Sequence, residues 1–329
     1  MNFVLSDDVR AVRDGLRAAL RDSCPPDLVR DASTSEGDER LRNLWKLLGD
    51  MGVLGLLVPE AQGGFGSDEI LLAVALEELG YVAAPGPLAD VIAIAAPILA
   101  ESLDPTGLLE KVLAGGAFVA CATNEDLVPY ADVSDAVLFV RDDRAELVSR
   151  ADMNVTPIAT VDPSRRAGSV VATATPTTLS SSHMERARER ATLAAAAELV
   201  GLSARMLDMT TEYVQSRRQF GVAIGSFQAV KHLLANSLIK IEFARPAVLR
   251  AALSMASGDP DASWHVSMAK AMASDAARLV AKTSIQCHGA MGYTVEYDLQ
   301  LFAKRAWARC ADWGDSEQHT ARIADWLGV

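Results

Sequence analysis

The part of the chain that most constrains its fold lies between Met184 and Cys287, where a helical pattern is broken at only two places. Met184 to Ser216 reads as one long helix, rich in alanine and free of proline. A second helix starts at Gly225-Ser226 and extends to about Ser257. Gly258-Asp259-Pro260 is a turn, and Asp261 or Ser263 caps a third helix reaching about Cys287. Further helices are expected over Leu299 to Ala311 and Asp315 to Leu327. Long helices joined by short turns make a bundle. The first break, Arg217 to Gln228, reads RRQFGVAIGSFQ. It combines paired cations, two phenylalanines and tight glycines, and the stretch Gln286 to Tyr293 (QCHGAMGY) has a similar character.

The N-terminal part is helical as well. Ser6 is an N-cap with Asp7 and Asp8 in the first turn, and Pro25-Pro26 ends that helix. Asp31 to Glu39 reads as a charged linker. The next helix carries Leu41, Leu44, Trp45 and Leu48 on one face and stops at Gly52. Gly63-Gly64 and Gly66 form a loop, Ser67 caps a helix that ends at Gly80, and an apolar helix covers Ala89 to Leu103. Near Gly115 the texture changes. Ala117 to Ala122, Ala136 to Val140, Glu146 to Val148 and Ser169 to Ala174 have strand character, separated by Asp, Asn, Pro and Gly. The expected organisation is an N-terminal α-helical domain (1–114), a small β-domain (115–182) and a C-terminal four-helix bundle (183–329), mainly α overall.

Composition narrows the function classes. Half of the 329 residues are hydrophobic, enough for a sizeable core. A formal charge of −12 argues against a nucleic-acid partner, though local basic spots can hold a phosphate-bearing cofactor. Cys24, Cys121, Cys287 and Cys310 form no CxxC pair and are expected to be buried free thiols. The histidines His232, His265, His288 and His319 lack any metal-ligand spacing, so no metal site is expected. Ser316 and His319 form no triad with a third residue. GGFG (63–66) follows no strand and lacks the full GxGxxG, which argues against a Rossmann site. The N-terminus has early acidic residues and no apolar core, so no secretory signal is expected. The run Val91 to Ala100 is too short to span a bilayer and contains Pro97. The expectation is a soluble cytoplasmic protein with no membrane span.

Taken in order, the motifs resemble the acyl-CoA dehydrogenase family. The resemblance rests on Trp45 with LLGDMGVLGLLVPEAQGGFG (47–66), EELG (77–80), VGLSARMLDMTTEYVQSRRQFG (200–221), IGSFQAVKHLLA (224–235) and QCHGAMGYTVEYDLQLFAKRA (286–306). It covers both helical ends well and the middle poorly. It implies FAD as cofactor. Arg217 stands where the family has its pyrophosphate arginine, and a cation there suits the phosphates. Phe220, Ile224 and Phe227 would line the adenine or ribityl side, and Gln228 and Gln286 would donate amide hydrogen bonds. Gly289 would let the backbone approach the phosphates, although Ala290 replaces the second glycine of the family pair. In the family these elements reach across a subunit interface to an FAD whose ring lies mainly in the neighbour.

Two family features are missing. The flavin-ring segment, a TEP…GSD type, is replaced by CATNEDLVPYADVSD (121–135), in which Thr123 alone remains. The general base, a Glu before Gly-Thr, falls at Trp313, with Asp312 adjacent as a weak candidate. The alternative base position of some members falls near Ala191, and Glu189 is on the wrong face for it. Glu185, Glu189 and Glu198 read as solvated helix charges. The chain therefore resembles the shorter, base-lacking subunit of actinobacterial heterotetrameric acyl-CoA dehydrogenases. Its expected partners are an acyl-CoA substrate, including steroid side-chain CoA esters, and a longer homologue that carries the base. Two alternatives stay open: a homo-oligomeric dehydrogenase using Asp312 or an upstream Glu, and a flavin-free scaffold or binding protein.

Overall fold

A computed structural model describes residues 5–179 and 184–329 of the chain. Residues 180–183, where the helical pattern was expected to resume at His183, and residues 1–4 lie outside the described set. In chain order the helices are α1 (Asp7–Ser23), α2 (Pro26–Asp31), α3 (Asp38–Asp50), α4 (Glu69–Tyr81), α5 (Leu88–Asp90), α6 (Ala96–Glu101) and α7 (Leu108–Leu113). A π-helical turn, Val91–Ala95, joins α5 to α6. Six strands follow: β1 (Val119–Ala122), β2 (Ala136–Val140), β3 (Ala145–Ser149), β4 (Met153–Pro157), β5 (Gly168–Ala172) and β6 (Thr177–Leu179). Then come α8 (Met184–Ser216), a short hairpin of β7 (Arg218–Gln219) and β8 (Val222–Ala223), α9 (Gln228–Ala256), α10 (Ala262–His288), α11 (Leu299–Ala311) and α12 (Ser316–Leu327).

The chain forms two compact units. One comprises Met1–Arg21, Ala73–Ala83 and Ala195–Val329; the other comprises Asp22–Leu72 and Ala84–Ala194. In the second unit the larger sheet has the order β1-β2-β3-β6, with β1 and β2 parallel and the other pairs antiparallel. Strands β4 and β5 form a separate antiparallel pair. Every residue of β1 and β2 is buried. The apolar face of α3 (Leu41, Leu44, Trp45, Leu48) is buried as its spacing requires. Trp45 meets Phe118 edge to face, with ring centroids 4.5 Å apart, and its indole N–H donates to the Ala117 carbonyl at 3.1 Å.

The first unit is a bundle built on α8, α9, α10 and α11. Helix α10 packs along α9 and also carries α11 and α12. Its inner face is small, with Ala269, Ala273, Ala276, Ala277 and Ala281 buried, which lets neighbouring helices come close. Partly buried ion pairs tie this unit together. Arg17 donates twice to Glu78, at 2.8 and 2.6 Å, and Arg245 donates to Glu77 at 2.8 Å. At Glu77 burial pushes the carboxyl above its ordinary range, and Arg245 opposes that rise.

Several sequence expectations need correction. Glu198 is not a solvated helix charge; it is buried and paired with Arg309. Asp68, not Ser67, caps α4, accepting from the Ile70 and Leu71 amides at 3.0 and 3.2 Å. The linker Asp31 to Glu39 contains a 3-10 turn, Ser35–Gly37, and α3 already begins at Asp38. Cys287 is half-buried, whereas the other three cysteines are buried. No helix among the described residues is long and apolar enough to cross a membrane.

Candidate functional site

The break at Arg217 is a hairpin. The Arg217 amide donates to Tyr213 O at 2.8 Å, closing the end of α8, and Ile224 N returns to Arg217 O at 2.9 Å. Between them β7 and β8 pair, leaving a two-residue turn of Phe220 and Gly221. Both have positive φ, 54° and 82°, as the tightest hairpin turn demands. Glycine suits that region, but a phenylalanine there carries backbone strain. Phe220 is also 93% exposed. Its ring meets Phe227 edge to face at 6.3 Å.

The other sequence-predicted residues surround this hairpin in the chain. Ile224 opens a 3-10 turn, Phe227 takes the N-cap position of α9, and Gln228 is the first residue of that helix. Arg217, Arg218 and Gln228 are exposed, and among the described residues neither arginine has an ion-pair partner. Gln286 is exposed in the last turn of α10, and Gly289 caps that helix with φ 59° and ψ −133°. That conformation is open in practice only to glycine, so Gly289 is required by its own backbone. A methyl group built on it would meet nothing within 4 Å. The 3-10 turn Gly289–Tyr293 then leaves Met291 and Tyr293 exposed.

The two stretches are connected by an aromatic cluster with no individual sequence signature. Tyr213 stacks on His288, with centroids 4.2 Å apart and planes 25° apart. The His288 ring also lies 4.9 Å from that of Tyr297. His288 Nδ1 is 2.7 Å from Ser284 O, and Nε2 is 3.2 Å from the Tyr297 hydroxyl. Burial depresses the His288 pKa, so the ring is neutral at pH 7.

Helix α9 adds a second unusual feature. Over Gln228 to Lys240 Ser237 is its only buried residue, although Leu233, Leu238 and Ile239 are apolar and Phe243 beyond them is 66% exposed. An apolar surface of this kind on a well-packed bundle marks a site of contact with another molecule.

The residues around the family's base position are tied into the bundle. Arg309 pairs with the buried Glu198 and donates to Asp312 at 2.9 Å. Trp313 has a positive φ of 57°, and its carbonyl lies 3.0 Å from His319 Nε2. Lys270, fully buried, donates to Gly314 O at 2.7 Å, Cys310 O at 3.1 Å and Ser274 Oγ at 3.4 Å. Burial lowers the Lys270 pKa to about 8 and that of His319 to about 4. Ser316 donates to the Asp275 carboxylate at 2.8 Å, while His319 Nε2 faces the Trp313 carbonyl. In the other unit, the segment after β1 is held by Arg141, the residue that follows β2, which donates to Thr123 O at 2.9 Å and pairs with Glu125.

The exposed arginines, amides and aromatic rings near Arg217, with the open glycine cap at Gly289, fit the pyrophosphate and adenosine part of a dinucleotide. Known proteins resemble the chain along most of its length. The descriptions "Acyl-CoA dehydrogenase, N-terminal domain" and "Acyl-CoA dehydrogenase, C-terminal domain" match residues 6–104 and 184–328. The acyl-CoA dehydrogenase IpdE2 of Mycolicibacterium smegmatis is 34% identical over 304 residues, covering 92% of this chain and 93% of that protein. IpdE2 of Mycobacterium tuberculosis is 31% identical, with 91% of each chain covered. Among solved structures, the ChsE4-ChsE5 complex from Mycobacterium tuberculosis superposes with a TM-score of 0.87 at 24% identity, covering 100% of this chain and 99% of that one. The Tcur3481-Tcur3483 steroid ACAD gives 0.85 at 25% identity, with 98% of each chain covered.

Proposed function

Because the chain belongs to the acyl-CoA dehydrogenase family, we propose that it is the subunit that completes the FAD site of a longer, base-carrying homologue in a heteromeric acyl-CoA dehydrogenase. The observation that carries this reading is the exposed constellation of Arg217, Phe220, Phe227 and Gln228, continuous in the chain with the uncovered half of α9. A loop whose cations lack ion-pair partners among the described residues and whose aromatic residues face solvent is suited to a ligand shared with another subunit.

Arg217 would hold the pyrophosphate of FAD. Gln228 and Gln286 would donate to its polar edges, Gly289 would admit the phosphates to the backbone, and Phe220, Ile224 and Phe227 would pack on the adenosine or ribityl part. When bound, FAD supplies the hydride acceptor for α,β-desaturation of an acyl-CoA thioester. The α-proton must go to a carboxylate held free to receive it. In this chain the nearest candidate, Asp312, is engaged by Arg309, and Trp313 offers no base. The partner would therefore supply both the base and the cradle of the flavin ring. The substrate reading extends to steroid side-chain CoA esters, supported by the steroid ACAD among the similar structures. Cytoplasmic placement and the division into segments 1–114, 115–182 and 183–329 belong to the same proposal.

Arg217→Ala provides the direct test. In the assembled complex it should weaken FAD binding at least tenfold, because one charge-assisted phosphate contact is worth more than about 1.4 kcal/mol. Affinity is read by titrating FAD into the flavin-free complex. Native affinity in that variant would overturn the cofactor reading.

A further inference from the structure

We propose that His288 is a positioning residue for the dinucleotide: with Tyr213 and Tyr297 it locks together the two chain segments that carry Arg217 and Gly289. The inference rests on the cofactor reading above and adds a residue to it.

The geometry is specific. Ser284 O can only accept, so at 2.7 Å the proton of the imidazole sits on Nδ1. Nε2 is then an acceptor, and the Tyr297 hydroxyl, 3.2 Å away, donates to it. The ring face is covered by Tyr213 at 4.2 Å. Each contact reaches a different element. Tyr213 is in the last turn of α8, and its carbonyl receives the Arg217 amide at 2.8 Å. Its hydroxyl lies 3.5 Å from the His288 carbonyl, the peptide that leads into Gly289. Tyr297 lies just before α11, beyond the Gly289–Tyr293 turn, so it closes that turn from its far side. A single buried ring thus fixes the end of α8, the end of α10 and the return of the chain after the turn.

Arg217 has no ion pair among the described residues, so no salt bridge of its own holds it toward Gly289. The spacing of the two segments is set by this cluster together with the Ser284 hydroxyl, which donates to Met206 O of α8 at 3.3 Å. Arg217 must meet a phosphate while Gly289 presents backbone to the same ligand, so a small change in spacing uncouples the two contacts. A neutral imidazole suits the task. It stacks as an aromatic, and it carries one donor and one acceptor on opposite sides.

The experiment uses the complex captured from its native host through a tag on this chain, then stripped of flavin. FAD is titrated in and its affinity read from flavin fluorescence, with thermal unfolding of the flavin-free complex recorded alongside. His288→Ala should weaken FAD about tenfold or more and, because a buried ring is lost, should also lower the flavin-free unfolding temperature. His288→Phe keeps the stack on Tyr213 and should recover affinity to within about threefold of native. Tyr297→Phe removes only the hydroxyl, keeps the stack and the Ser284 bond, and should lie between native and His288→Phe. Native FAD affinity in His288→Ala overturns the proposal. So does equal weakening in His288→Ala and His288→Phe, or an equal affinity loss in Leu48→Ala, which lowers the unfolding temperature from a buried site outside this cluster. Arg217→Ala is measured in parallel. If it weakens FAD and His288→Ala does not, the positioning role alone is lost; if Arg217→Ala binds FAD as native does, the cofactor reading itself is overturned.

Discussion

Gly201→Ala should destabilise the chain by about 3 kcal/mol or more, although alanine is the better helix former. A Cβ on Gly201 would lie 2.0 Å from Glu77 O and 2.7 Å from Tyr81 N, both backbone atoms of α4. The contact is reciprocal, since a Cβ on Gly80 of α4 would lie 2.3 Å from Glu198 O of α8. The two helices cross with their backbones in contact, and neither carbonyl can swing aside as a side chain would. Gly15→Ala in α1 is the internal control. That position is exposed, with nothing within 4 Å of an added Cβ, so alanine there should stabilise by about 0.5–1 kcal/mol. Chemical denaturation of the two variants reads both signs. A Gly201→Ala variant as stable as native would mean that α4 and α8 are farther apart than the structure places them.

Removing the Arg309 guanidinium should be comparably damaging. Arg309 is 3% exposed and Glu198, its partner, 5%. Arg309→Met takes away the cation paired with the buried Glu198 carboxylate, which costs about 3–5 kcal/mol. Asp312 loses the hydrogen bond from Arg309 at the same time. The loss should fall on stability rather than on the base chemistry of this chain. Replacing both partners removes the stranded charge, so Glu198→Leu with Arg309→Met should be more stable than Arg309→Met alone. Equal instability in the single and double variants would show that the pair's shape, not its charge, is what the bundle needs.

Much of the fold could be read from the chain. The helices from Met184 onward have long apolar periods and sharp terminators, so α8, α11 and the start of α12 fall where expected, the last with a capping box between Asp315 and Gln318. Strand β2 matches its apolar run residue for residue. Other features left too little local signal. Strands β4 and β6 are short and largely exposed, so no alternation marks them. The β7–β8 hairpin has two-residue strands, and Phe220 hides a turn that Asn-Gly would have announced. Asp68 and Ser67 are both competent caps, and only the hydrogen bonds choose between them.

The candidate site divides in the same way. Arg217, Phe220, Phe227 and Gln228 were named from their motif, and the structure adds their exposure. The role of Gly80 and Gly201, both inside recognised motifs, depends on a crossing between helices far apart in sequence. Glu198 looked solvated because its partner, Arg309, lies on another helix. His288 carried no spacing signal as a ligand, since its partners are brought together only by the ends of three helices. The apolar residues of α9 read the same whether a neighbouring helix or another subunit covers them.

The central claim is that this chain holds half of a flavin site. Its most direct test is the flavin absorbance and acyl-CoA dehydrogenation of the purified chain alone, compared with the same chain co-expressed with a longer family member that carries both the base and the flavin-ring segment. The account predicts a colourless, inactive protein alone and a yellow, active complex; a yellow and active preparation of this chain by itself would contradict it.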